Sequence, residues 1–491
     1  MNYASLKFLL FIVGLMVVYY IVPKKYRWLT LLAASIYFFY LFSGFLIIYA
    51  ILAALVAYFA AILIEKHKDK KKLILVISIL IVLSFLGVLK YNNFFISIIN
   101  CFGLSIKYKK FLIPIGISYY TLEMISYMTD VYRGKYKHEN NYFKLLLFFI
   151  YFPKLVEGPI SRYDKLSETL FAGNSFDYDN FRKSFVLIGY GFFKKLVIAD
   201  RAGIFVDTFF EEGYTGLITV VAIVLYTIQI YADFSGCIDI VTGVSSLFGV
   251  KLPENFKRPF FSTSIQEFWR RWHMTLGEWL KDYIFYPISL SKMNMKLNLK
   301  VRKIKFKHLA RFITVAFPLF FVWFTNGLWH GASGKFVVYG LYYYAVMMLG
   351  VLFKPVLDKL VNLLKINTKV WSYKFFGMLR TIFIVCFGMF LFRSETLKDF
   401  GYLCSKMFNF GKFPLFKLGI NKFDFLILGV SVLILICVEI AQELGVNIRE
   451  KLEEQNLLFR WCVYLIIIFG VLIFGIYGRG YSAKSFIYGG F

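Results

Sequence analysis

Histidine is scarce in this 491-residue chain, with five in all: His67, His138, His273, His308 and His330. Cysteine is nearly as rare. The six residues Cys101, Cys237, Cys386, Cys404, Cys437 and Cys462 are scattered, mostly inside apolar runs, with no Cys-x-x-Cys pair. That excludes a disulfide framework and, with no His-x-x-x-His, argues against a metal site; the cysteines read as small buried apolar residues. Acids are few, 29 against 57 lysines and arginines, for a formal charge of +28. There is no soluble domain of useful size and no internal repeat, which weakens the case for a transporter or flippase without chemistry, since transporters are often built from paired repeats. No Gly-x-Ser-x-Gly elbow occurs, although a Ser-His-Asp triad assembled from distant positions stays open.

What fills the chain is hydrocarbon. Apolar residues make up 59% and aromatics 21%, well above a soluble domain. They come in blocks long enough to cross a bilayer. The expectation is an all-α polytopic membrane protein with residues 1–491 forming a single membrane-embedded domain. Such a cationic excess first suggests nucleic acid. Here, however, the lysines sit in loops between apolar runs, where they set topology and meet anionic lipid headgroups. Membrane lipid is the expected partner, and nucleic acid is not.

Taken in order, residues 5–22 form a first apolar run that lacks a cleavage site and reads as a membrane helix. Runs at 28–42, 45–64 and 73–89 follow, with basic turns at 23–27 and 66–72. The positive-inside rule places both turns in the cytoplasm and the N-terminus outside. Residues 112–128 carry Glu123 inside an apolar run. Residues 145–152 are too short to span and lead into a Pro/Gly segment around Glu157, which suggests a re-entrant element. Helices are expected at 184–198 and 216–231, the second running into a stretch with Asp233, Ser235 and Asp239. Intramembrane acids such as these call for pairing with buried arginine or for orienting a histidine. In 268–276, helical spacing would put Trp269, Trp272 and Leu276 on one face and Arg270 and His273 on the next. Further helices are expected at 375–392, 423–441 and 461–477. Alternation puts the tail, 478–491, outside.

The most informative stretch is Thr325-Asn326-Gly327-Leu328-Trp329-His330-Gly331-Ala332-Ser333-Gly334, between apolar runs at 312–324 and 336–353. Lipid offers an imidazole no hydrogen-bond partner, so His330 calls for a protein-lined or watery cavity. Imidazole is also the side chain best suited to exchange protons near neutral pH. His273 and His330 each follow a tryptophan, whereas His67, His138 and His308 lie in polar, basic surroundings and read as solvated. The plain alternative for His330 is a hydrogen bond tying two helices together. For His273, beside Arg270 and Arg271, it is a structural or substrate-anchoring role.

At these residues the chain resembles the membrane-bound O-acyltransferase family, in its bacterial branch that acylates envelope and exported polysaccharides. The match is carried by Pro114-Ile115-Gly116-Ile117-Ser118-Tyr119-Tyr120-Thr121, Asp130-Val131-Tyr132-Arg133-Gly134, Phe152-Pro153-Lys154-Leu155-Val156-Glu157-Gly158-Pro159-Ile160, Asp233-Phe234-Ser235-Gly236, Phe268-Trp269-Arg270-Arg271-Trp272-His273 and Gly327-Leu328-Trp329-His330-Gly331. The resemblance implies a ring of transmembrane and re-entrant helices around a central funnel or tunnel. It implies His330 as catalytic base, His273 as the second histidine, and Trp329, Asn326, Arg270, Arg271, Asp233, Ser235 and Glu157 as candidates lining the tunnel. It also implies no resident cofactor or metal, acetyl-CoA or another cytoplasmic thioester as donor, and a polysaccharide or peptidoglycan acceptor served by an extracytoplasmic transferase of the serine-esterase (SGNH) type. The ending Phe486-Ile487-Tyr488-Gly489-Gly490-Phe491 resembles the family's Phe-Ile-Tyr-x-x-Phe tail, with two glycines where bulkier residues are usual. It implies Tyr488 as an acyl carrier; a frayed tail is the plain alternative. D-alanyl transfer to teichoic acid is the alternative within the family, and a scaffold that only recruits an external enzyme is a further one.

Overall fold

The computed structural model describes residues 3–301, 303, 307–409, 415–477 and 486. Among them there is no strand, only helices and one isolated antiparallel bridge. Among the described residues eight helical stretches are long and apolar enough to cross a membrane. The protein is an all-α polytopic membrane protein. Its contacts divide it into two units: Met1–Ala202, Gln229–Pro253 and Asn421–Phe491 form the first, and Gly203–Ile228 and Glu254–Ile420 the second.

In the first unit the helix Leu6–Ile21 begins where the Ser5 side chain accepts a hydrogen bond from the Phe8 amide, which satisfies one of the otherwise orphaned donors of a first turn. Helix Ile47–Lys66 buries Ala50, Ala53, Ala54, Ala57, Ala60 and Ala61. This helically spaced stripe of small side chains lets Lys71–Leu89 and Ile117–Tyr132 pack closely against it. Tyr142–Ile150 has only nine residues, and Leu145 to Ile150 are all buried. It is a core element, too short to span, as its length in the sequence indicates.

Two expectations about the acids need correction. Ile218–Leu247 is one continuous helix and does not stop before Asp233. Asp233 and Asp239 pair with lysine, not arginine. Tyr178–Phe192 passes into a π-helical turn, Phe193–Ala199, in which Lys194 and Lys195 are both buried. Lys194 Nζ lies 2.7 Å from Asp239 and donates to Ser235 at 3.0 Å. Lys195 Nζ lies 2.6 Å from Asp233 and 2.8 Å from Asp200. These counter-charges make two carboxylates tolerable inside an apolar helix. Glu123 likewise pairs with the buried Lys154 and accepts from the Ser161 amide at 2.9 Å. His138, expected to be solvated, is half-buried and pairs with Glu65 at 2.9 Å; His67 and His308 are exposed.

In the second unit, Lys307–His330 and Gly334–Leu363 form a helical hairpin. Gly327 and Gly340 face each other across it. A Cβ at Gly327 would lie 2.3 Å from the Phe336 carbonyl oxygen, and one at Gly340 would lie 2.2 Å from that of Trp323. Only glycine permits this approach. The expectation of one helix through 268–276 also fails. Ile265–Arg271 ends, Trp272 is extended, and Met274–Leu280 starts a new helix. Between them His273 sits in the left-handed region at φ 47°, ψ 52°.

Candidate active site

His330 is the last residue of helix Lys307–His330 and is 4% exposed. The close hairpin fixes that helix end, and rings surround the imidazole. Trp329, Tyr339 and Phe392 meet it edge to face at centroid distances of 5.1, 5.6 and 5.3 Å. His273, 3% exposed, contacts the same Trp329 ring at 5.6 Å. Trp329 thus touches both histidines.

The two imidazoles line one cavity of about 520 Å3, together with Trp269, Trp323, Asn326 and Arg270. Asn326 stands one helical turn before His330 on the same face and is buried. Arg270, which is exposed, and Lys281 bring positive charge to the cavity. An apolar cavity of this size with a few convergent polar groups has the character of a small-molecule site.

His273 owes its position to a short length of chain that the sequence did not mark. Phe256 and Trp272 form the one antiparallel bridge among the described residues. The Met274 amide donates to the Asn255 carbonyl, and the Lys257 amide to the Arg271 carbonyl, each at 2.9 Å. The buried Asn255 side chain accepts through Oδ1 from the Thr275 amide at 3.1 Å and the Thr275 hydroxyl at 2.9 Å. Oδ1 also lies 3.2 Å from His273 Nδ1. Burial pushes the His273 imidazole down to about 3, so it is neutral at pH 7. A neutral imidazole can accept a proton from a hydroxyl and return it to a leaving group.

The other sequence candidates divide. Arg271 forms an ion pair with Glu267 at 2.7 Å and is not among the cavity-lining residues. Asp233, Ser235 and Glu157 belong to the first unit, the first two bound to lysines and the third fully buried. Of the tail only Phe486 is described: it is buried in the first unit's core, with the Lys195 ammonium 4.6 Å from its ring centroid. Tyr488 lies outside the described residues. Asn255, Trp269 and Trp323 were not singled out for this role in the sequence. Nothing in Leu252-Pro253-Glu254-Asn255-Phe256 signals a partner for a histidine 18 positions on. Among the described residues no group of three or more His, Cys, Asp or Glu side chains could hold a metal ion.

Residues 137–394, which include both histidines, match the model of MBOAT, the membrane-bound O-acyltransferase family. The chain belongs to the membrane-bound O-acyltransferase family. It is 34% identical over 352 residues to a probable alginate O-acetylase of Pseudomonas syringae pv. tomato, covering 70% of this chain and 62% of that one. It is 30% identical to a peptidoglycan O-acetyltransferase of Helicobacter pylori, covering 55% and 54%. It is 29% identical to a teichoic acid D-alanyltransferase of Bacillus subtilis, covering 57% and 69%. The match to the Pseudomonas syringae relative thus spans about three fifths of that protein's length. In this member of the membrane-bound O-acyltransferase family the cavity shared by His273 and His330 lies within the matched segment.

Proposed function

We propose that this protein is an O-acyltransferase that moves an acetyl group from a cytoplasmic thioester, acetyl-CoA, across the membrane for O-acetylation of an exported or envelope polysaccharide. The observation that carries this reading is the pair of buried imidazoles, His273 and His330, facing one cavity inside the family segment. His330 acts as the base. It takes the proton of the acceptor hydroxyl, the oxygen attacks the thioester carbonyl, the C–S bond breaks, and the imidazolium returns its proton to the thiolate. The acceptor hydroxyl is assigned to Tyr488. A free phenol has a pKa near 10, so a positioned base is needed at neutral pH. The tyrosyl ester then passes its acetyl group to the polymer through an extracytoplasmic SGNH-type transferase. In this reading both the N-terminus and the tail are extracytoplasmic.

The similarity to a teichoic acid D-alanyltransferase favours a second reading, D-alanyl transfer to teichoic acid. One experiment separates them. Purified protein in liposomes is given radiolabelled acetyl-CoA or a D-alanyl thioester, and the label bound to protein and released to acceptor is counted. Acetyl transfer is expected, with His330→Ala lowering it on the order of 10²–10⁴-fold. Tyr488→Phe, which removes only the hydroxyl, abolishes protein-bound label. Wild-type acetyl transfer by correctly inserted His330→Ala overturns the base assignment, and transfer of D-alanine alone overturns the acetyl assignment.

A further inference from the structure

We propose that Asn255 is a positioning residue that holds His273 in one tautomer, with hydrogen on Nδ1 and the basic lone pair on Nε2. The inference rests on the reading of His273 as part of the transferase site. The Thr275 amide lies 3.1 Å from one terminal atom of the Asn255 amide. A backbone N–H cannot accept, so that atom must be the oxygen. The same oxygen stands 3.2 Å from His273 Nδ1. Oxygen there can only accept, so Nδ1 must carry the hydrogen; the other tautomer would oppose two lone pairs.

The backbone around the histidine supports a built device rather than an incidental contact. Non-glycine residues rarely adopt positive φ, and those that do need surroundings that impose it. Among the described residues only Arg258, His273 and Lys365 do so. His273 lies within the pairing of 255–257 with 271–274, and Arg258 directly follows it. The amide and carbonyl contacts on both sides of His273 hold it in that conformation, and Asn255 fixes ring and backbone together. Asn255 Nδ2 is buried with no hydrogen-bond partner among the described residues. Only its oxygen side is engaged, as expected of a residue kept for its acceptor. The charged and titratable groups that line the same cavity are Arg270, Glu278, Lys281 and His330.

The test reads tautomer and turnover in the full-length protein in nanodiscs. Histidines are labelled with ¹⁵N, and His273 is assigned by the signals lost in His273→Gln. The wild type should show Nδ1 protonated and Nε2 unprotonated at neutral pH. Asn255→Ala should give a mixture of tautomers and lower kcat for acetyl transfer on the order of 10²-fold, with KM changed by less than about threefold. Asn255→Asp keeps the acceptor and adds a negative charge, so the acid limb of the kcat profile should move up by about one pH unit or more. A wild-type His273 protonated on Nε2, or an Asn255→Ala protein with wild-type tautomer and kcat, overturns the proposal. If Asn255→Ala does not insert, an Asn255→Asp protein with an unshifted pH profile does so instead. If the tautomers behave as stated while His273→Gln transfers acetyl normally, the positioning role of Asn255 stands and the part given to His273 in transfer falls.

Discussion

In the first unit, three buried lysines each come with counter-charge: Lys154 with Glu123, Lys194 with Asp239, and Lys195 with Asp233 and Asp200. In the second unit, the buried polar groups lining the cavity include His273, His330 and Asn326, with the buried Asn255 amide beside His273. The first arrangement spends its electrostatics on holding helices together, because an ion in an apolar interior is tolerated only when neutralised. The second sets imidazoles, which can exchange a proton near neutral pH, beside amides, which hold position by hydrogen bonds. Under the proposed function, one membrane chain separates scaffold from chemistry: paired ions hold the frame, and imidazoles serve the reaction.

The comparison can be broken most severely at Lys195. Lys195→Met takes this counter-charge away from the buried Asp233 and the partly buried Asp200. It should cost about 3–5 kcal/mol, as removing one partner of a buried ion pair does. The readout is the loss of monodisperse protein on heating in detergent. A variant as stable as wild type would show that these ions do not hold the frame. Next comes the hairpin that carries His330. Gly340→Ala puts a methyl group where the Trp323 carbonyl oxygen stands, and should cost about 1–3 kcal/mol of stability. Displacement of His330 should also lower transfer per folded molecule by roughly 10-fold or more. A normal rate would mean that the glycine contact does not set the position of His330. At pH 7 the smallest effect is that of His273, and it grows only in acid. The folded-state value for His273 is about 3, against 6.5 for the free group. Between these values the unfolded chain binds more protons. His273 therefore contributes stability that is present above about pH 6.5 and lost as pH falls toward 3, with a slope of at most about one proton. His273→Gln should flatten that acid loss in denaturation measured across pH 3–7; an unchanged slope would mean that His273 is not the buried neutral group.

Much of the frame is legible without coordinates because its signals are local. Apolar blocks mark 28–42, 45–64 and 73–89 as spans, and the helices found there begin and end within a few residues of those limits. His330 stands out because an imidazole among glycines inside apolar sequence has few explanations. Local rules give way where a distant partner reverses them. Helix Ile218–Leu247 runs on through Asp233 and Asp239 because Lys195 and Lys194, some 40 residues earlier, neutralise them. The helix expected through Trp269 and His273 breaks because residues 255–257 compete for its backbone hydrogen bonds.

Composition and spacing by themselves determined that this is a helical membrane protein and that two of its five histidines are unlike the rest. Hydropathy and scarcity are properties of the chain taken one segment at a time. Only the tertiary structure decided that both imidazoles share a cavity, that Trp329 touches each, and that Asn255 grips one of them. Those facts depend on which backbones approach within hydrogen-bonding distance, and residues 18 or more apart carry no record of that in their order.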